Sequence, residues 1–261
     1  MRRVHAGRSA RQTAPARRTG PAGHRASKTD ETREESVTLE TSQPGPPGRL
    51  YAGTGPEQRQ ARRRAAFVDA GLDLFGREGF RHVSVKRLCD EAGLTQRYFY
   101  ESFADRSALL AAVYEHCVDI CRAAVGESLL QVPDTTTNDV PNEQRLAELT
   151  RVALDALLEC LTGDRRMARV ILVEVVGVDA SLERLRMDAI HAWAQLAMDI
   201  AFDDEQPPAR FRLAAVGLIG ALTQLLVDWY IATDAGAPAA DVSDIRDVCV
   251  DMFIATYQRL A

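Results

Sequence analysis

The chain has 261 residues, 46% hydrophobic and 26% charged, enough to bury a sizeable core of one or two domains. Five cysteines (Cys89, Cys117, Cys121, Cys160 and Cys249), an odd number on apolar stripes with no C-x-x-C pair, exclude a disulfide scaffold and suggest reduced thiols in a cytoplasm. By sequence no apolar run reaches the length of a membrane span and no secretory signal is evident, so no membrane partner is expected. The net charge of −5 argues weakly against a nucleic-acid ligand, but its distribution argues the other way. Residues 1–56 carry +5, residues 57–110 carry +2 and residues 111–261 carry −12. Such asymmetry can orient a protein on a polyanion.

Residues 1–56 are rich in Pro, Gly, Ser, Thr and Arg and nearly devoid of large apolar residues, the composition of a disordered arm. Eight cations (Arg2, Arg3, Arg8, Arg11, Arg17, Arg18, Arg25, Lys28) precede the first acid, Asp30. The arm reads as a non-specific DNA contact, as a superficial likeness to a transit peptide, or as a product of translation that really starts near Val37. From Glu57 a helix is expected, with Phe67, Ala70, Leu74 and Phe75 on one face behind Arg62, Arg63 and Arg64, ending at Gly79.

Val85, Leu88, Cys89 and Ala92 then recur at helical spacing, with Ser84 as N-cap and Gly93 as the left-handed stop. Leu94 returns to the core, and Thr95 is expected to cap a second helix whose Phe99 and Phe103 face inward. Gln96, Arg97, Tyr98 and Tyr100 are thereby left toward solvent near a helix N-terminus. Amide, guanidinium and aromatic groups suit base edges and phosphates there better than they suit an ordinary surface helix. The two short helices and their tight bend form a candidate DNA-reading helix-turn-helix, although αα-hairpins without that role share the pattern.

Beyond it, Asp105 caps a long helix to about Leu130, striped by Leu110, Val113, Tyr114, Cys117, Cys121 and Ala124. A polar loop from Val132 to Pro141 separates it from a helix over Glu143–Leu161, with Gly163 as its stop. The stretch Met167–Val176 is β-branched enough for a strand, but with no partner strand in the chain it is expected as a buried helix. Leu182–Phe202 is apolar on two faces and expected to be central. Two further helices follow, from Pro207-Pro208 to about Thr233 and from Val242 to Leu260. The expected class is all-α: an N-terminal three-helix helix-turn-helix domain (57–104) and a C-terminal helical bundle (105–261), about nine helices in total.

Residues Arg62 to Leu110 resemble the N-terminal domain of the TetR family of transcriptional regulators. The likeness rests on the basic start, Ala70-Gly71-Leu72-Asp73-Leu74-Phe75, Gly79-Phe80, Ser84-Val85, the helix-turn-helix Leu88 to Phe103, then Asp105-Arg106 and Leu109-Leu110. Ala168 to Arg186 is similar to the C-terminal half of some actinobacterial members. The resemblance implies DNA contacts at Gln96, Arg97, Tyr98 and Tyr100, with phosphate contacts at Ser84 and Arg106. Glu101 and Ser102 depart from the larger basic or aromatic residues common there. Glu101 would repel phosphate unless it accepts from a cytosine amino group.

One helix-turn-helix reads few base pairs, so two copies related by a dyad are needed on a pseudo-palindromic site. The expected homodimer interface uses the last two helices, through Ala214, Gly217, Leu218, Ala221, Leu222, Leu225, Met252, Phe253 and Tyr257; monomer core is the competing reading. The family resemblance further implies a small-molecule effector in the C-terminal core that releases DNA. Tyr114, Cys117, Glu174, His191, Trp193 and Met198 are the candidate lining, with core packing the plainer reading for each. Glu174, alone in an apolar run, must pair either with a ligand or with Arg165, Arg166 or Arg169. No catalytic residue, metal or cofactor is expected, because the histidines are scattered and no phosphate loop or serine elbow is present. The expectation is therefore a cytoplasmic, dimeric regulator of double-stranded DNA, a ligand-released repressor rather than an enzyme. The alternative is a helical adaptor that binds DNA without specificity or an acidic partner.

Overall fold

The structure, a computed structural model, describes residues 55–133, 142–202 and 206–261. The basic arm, apart from Gly55 and Pro56, and most of the polar loop before Pro141 lie outside the described residues. Helix α1 (Pro56–Glu78) begins with Pro at its first position, where a missing N–H leaves no bond unmade. It buries Phe67, Ala70, Leu74 and Phe75 as expected. Gly79 ends it at φ 86°, a region that side chains disfavour. A 3-10 turn (Phe80–His82) leads to α2 (Val85–Ala92) and α3 (Gln96–Ser102). Ser84 caps α2 by accepting from the Arg87 N–H at 3.2 Å, and Gly93 takes the left-handed conformation. Thr95 stands at the N-cap of α3 with extended backbone, but its side chain makes no cap bond, contrary to the sequence expectation.

Helix α4 (Arg106–Leu130), capped by Asp105, packs on α1 and on α5 (Asn142–Gly163). Gly163 falls inside the last turn of α5 rather than beyond it. The ambiguous segment is helical: α6 (Arg165–Arg169) runs into a π turn (Val170–Glu174). Val170, Leu172 and Val175 are buried there, and burial against α1 and α4 overrides their strand propensity. Helices α7 (Ala180–Phe202), α8 (Ala209–Asp234) and α9 (Val242–Leu260) complete the fold. The described residues thus form an all-α structure of nine α-helices with no strand.

One apolar core runs from Phe67, Phe99 and Leu110 through Leu161 and Val170 to Leu226 and Ile245, so head and bundle share packing. A smaller cluster around Phe211, Met198 and Phe253 closes the far end. Gly76 lets α1 meet α6: a Cβ there would lie 2.7 Å from the Arg166 Cα. Helix α8 corrects one sequence expectation, being long and apolar enough to cross a membrane by length and composition, with mean hydropathy 1.5. In this fold it packs on α7 and α9, yet only 22% of that apolar stretch is buried within the protomer.

Candidate nucleic-acid interface and core cavity

The roll of α3 is set by an aromatic lock. Phe67 of α1 meets Phe99 edge-on at 5.4 Å and Phe103 at 6.3 Å, and all three rings are buried. Because Phe99 and Phe103 point inward, helical geometry turns Gln96, Arg97 and Tyr100 outward. Tyr100 is 60% exposed, a large apolar face left in water. Tyr98 is half-buried because the Arg63 guanidinium stacks on its ring at 4.4 Å, while Arg64 stacks on Phe103 at 4.5 Å. The basic cluster of α1 therefore braces the reading helix, a role its helical spacing alone did not signal. Glu101 accepts from Arg97 Nε at 2.9 Å, which supplies a cation beside the carboxylate that was expected to repel phosphate.

Ser84 is exposed beside this face. Arg106 is turned inward instead: its Nη1 donates to the carbonyls of Phe80, at 3.1 Å, and Val83, and its guanidinium stacks on Phe80. Carbonyls at the end of a short 3-10 turn lack intrahelical donors, and Arg106 satisfies them. In this structure it positions the loop that presents Ser84, rather than standing out for phosphate.

Glu174 is paired from within the protein. Its Oε2 accepts from the Phe80 backbone N–H and its Oε1 from Arg169 Nε, both at 2.7 Å. Arg169 also donates to the Arg77 carbonyl at 2.9 Å. Gly79 is seated against this ion pair, its position for a Cβ lying 2.8 Å from Arg169 Nη2. Nearby, Arg166 bonds Asp73 at 2.9 Å and Asp164 at 2.7 Å; these partners raise the pKa of Arg166, and Arg166 holds the Asp164 carboxyl below its usual range. The segment Asp164–Glu174 is thus pinned to the end of α1 and the start of the 3-10 turn.

A cavity of about 580 Å³ opens on the other side of that segment, walled by α4, α5, the π turn, α7, α8 and α9. Of the six residues expected to line it, Tyr114 and Trp193 do. Cys117 is packed in the core at 0% exposure, Met198 belongs to the smaller cluster, His191 is exposed, and Glu174 faces the head. The lining missed by sequence includes Leu154, Ile171, Arg186, Ile190 and Leu218. Burial pushes Tyr114 and Cys117 up to about 12 and raises Cys121 too, so all three stay protonated at neutral pH.

Residues 67–113 match the family described as bacterial regulatory proteins, tetR family. The N-terminal head of this chain is therefore similar to that of TetR-family transcriptional regulators. Over 158 residues it is 26% identical to the HTH-type transcriptional activator FasR of Mycolicibacterium smegmatis, covering 60% of this chain and 67% of that protein. Its fold is similar to the fatty acid degradation regulator FadR from Bacillus halodurans, at TM-score 0.56 and 14% identity over 77% of this chain and 96% of that one. FadR from Bacillus subtilis in complex with stearoyl-CoA matches at TM-score 0.56 and 14% identity, over 74% and 98% of the two chains. A tetR-family transcriptional regulator from Streptomyces coelicolor matches at TM-score 0.58 and 17% identity, over 78% and 82%.

In this chain the residues expected at the dimer face divide into two groups. Leu222 and Phe253 are buried inside the protomer, and both also line the cavity, as do Leu218 and Met252. Tyr257 packs near Phe202 and Phe211, while Ala214, Ala221 and Leu225 are half-buried. Gly217 is exposed, as are its neighbours along α8, Leu213 at 78%, Gly220 and Ile231. A Cβ on Gly217 or Gly220 would meet nothing within 4 Å. Met252 and Val248 are exposed on α9.

Proposed function

We propose that residues 57–104 read a pseudo-palindromic operator as one half of a homodimer, while residues 105–261 bind a long apolar effector and supply the dimer contact. The observation that carries this is the locked α3, whose buried Phe99 and Phe103 turn Gln96, Arg97 and Tyr100 outward beside the Arg63–Tyr98 stack. The dimer reading is supported by the bare stripe Leu213, Gly217, Gly220 and Ile231 on α8 with Val248 and Met252 on α9. Glycine inside a helix is unfavourable by about 1 kcal/mol unless close packing offsets it, and among the described residues no neighbour supplies that packing. Such a face favours a second copy over solvent.

The effector class follows from the cavity, whose lining is dominated by aliphatic side chains and whose volume suits a small-molecule site. The Bacillus subtilis relative in complex with stearoyl-CoA supports a fatty acyl ligand. Coupling would pass through the π turn. Ile171, Leu172 and Val173 line the cavity, and the next residue, Glu174, holds Phe80 of the head. A ligand that moves this turn moves the backbone leading to Ser84, and DNA is released. Whether release frees or silences a gene depends on where the operator lies, and the Mycolicibacterium relative is named an activator.

Affinity for DNA from the chain's own promoter, compared with scrambled DNA across a salt series, tests the reading. Strong discrimination that persists as salt weakens both complexes is expected. Equal binding to every sequence would favour the adaptor reading instead.

A further inference from the structure

Resting on the effector reading above, the chemistry of the cavity can be taken one step further. Apart from the Trp193 indole and the thiols of Cys121 and Cys249, five lining residues carry polar groups, and three are already engaged. Thr150 donates to the Leu146 carbonyl and Thr223 to the Ile219 carbonyl, each at 2.7 Å, and Gln224 donates to Asp228 at 2.8 Å. The other two are Tyr114 and Arg186. Tyr114 is only 4% exposed, and its hydroxyl has no hydrogen-bond partner among the described residues. Arg186 gives Nε and Nη2 to a single oxygen of Glu183, at 3.1 and 2.9 Å, and leaves Nη1 unused among the described residues. Both side chains line the same cavity, and burial raises the pKa of the phenol so that it stays protonated. Both groups are therefore donors, and an unpaired donor in an apolar wall is unfavourable.

From Arg186 the lining continues on one face of α7 through Ile190, Trp193, Ala197 and Ile200, in alternating steps of four and three. That stripe is about 21 Å long at the helical rise. Beyond its first member the stripe carries no charge, and its one polar group is the Trp193 indole N–H. We propose that the cavity takes its ligand by an acyl carbonyl, held between the Tyr114 hydroxyl and the Arg186 guanidinium, with the hydrocarbon chain lying along α7 toward Ile200. A free carboxylate and a thioester carbonyl share this chemistry; the carboxylate draws more from Arg186, and the thioester relies more on Tyr114.

The full chain is titrated with three fluorescent probes, following the tryptophan emission, to which Trp193 and Trp229 both contribute, as well as the probe. These are cis-parinaric acid, its coenzyme A thioester, and diphenylhexatriene, which has a long apolar body and no head group. The wild type should bind diphenylhexatriene and at least one acyl probe. Tyr114→Phe and Arg186→Gln should each weaken the acyl probe by about ten-fold, with the headless probe unaffected. The double variant should lose less than the product of the two, since both donors hold one group. Arg186→Lys should recover part of the loss for the acid, and a larger effect of Arg186→Gln on the acid than on the thioester would identify the acid as the better ligand. Unchanged acyl affinity in both single variants, or a parallel loss of diphenylhexatriene, would overturn the anchor while leaving the cavity reading in place. Failure of the wild type to bind any of the three would remove the effector reading and the anchor together.

Discussion

The reading head and the α7–α8 side of the bundle draw on similar apolar side chains to opposite effect. Around α1–α3 the rings of Phe67, Phe75 and Phe99 are fully buried; Phe67 meets Phe99 at 5.4 Å and Phe103 at 6.3 Å, Phe75 meets Phe80 at 5.4 Å, and Leu74 and Leu88 are buried among them. Around α7 the apolar residues Ile190, Trp193, Ala197 and Ile200 border about 580 Å³ of open volume. Close packing leaves a core few ways to rearrange, whereas a cavity can be filled, reshaped or emptied. The difference shows that apolar content alone does not distinguish a rigid reader from an adaptable binding core. Head and bundle nevertheless share one continuous core, and the Asp164–Glu174 segment touches both.

The contrast can be broken most severely in the head. Phe99→Ala should destabilise the protein by about 3–5 kcal/mol in denaturant unfolding, because Phe67 and Phe103 cannot close the gap. Ala197→Leu in the cavity wall should leave stability close to wild type and instead weaken binding of an apolar probe. Comparable unfolding losses for both changes would erase the distinction.

At the junction, Glu174→Ala strips a partner from Arg169 and from the Phe80 N–H, and a loss of about 2 kcal/mol is expected. Its sharper signature is faster amide hydrogen exchange at Phe80–Val83 with the cavity still able to bind its probe. On the outer face, Tyr100→Ala should lower discrimination between promoter and scrambled DNA by about 1–3 kcal/mol without unfolding the head. An unaltered ratio would remove Tyr100 from base readout. The smallest effect lies at the start of α7. Asp179 accepts from the backbone N–H of Leu182 and from Ser181, which lowers its pKa to about 2. Its contribution is therefore complete above the unfolded value of about 3.9 and fades as pH falls toward 2. The difference in thermal midpoint between wild type and Asp179→Ala should be constant at neutral pH and vanish through that acid window.

Much of this architecture was legible in the residues. The 3.6-residue stripes of α1, α2, α4 and α5, the Ser84 cap, and the stops at Gly79 and Gly93 all follow from local chemistry, and the structure has them. So does the outward set Gln96, Arg97 and Tyr100, since Phe99 and Phe103 could only face in. Partners distant in sequence were not legible. Glu174 lies 94 residues from Phe80, and nothing local says that its carboxylate serves the head instead of the cavity. Arg106 reads as a surface cation until the carbonyls of Phe80 and Val83 are placed beside it. The two apolar faces of α7 showed centrality but not emptiness, because a residue against a void and a residue against a neighbour are both apolar. Arg186 was not legible as a cavity residue, because an Arg with an acid three residues earlier on a helix has the pattern of an ordinary solvated pair.

The central claim is that the cavity and the reading head are coupled through the π turn, and reciprocity gives the direct test. Affinity for promoter DNA is measured with and without saturating acyl probe, and affinity for the probe with and without saturating DNA. The account predicts that each ligand weakens the other by the same factor and that Glu174→Ala shrinks this factor while both sites still bind. Independent binding of the two ligands in the wild-type protein would contradict it.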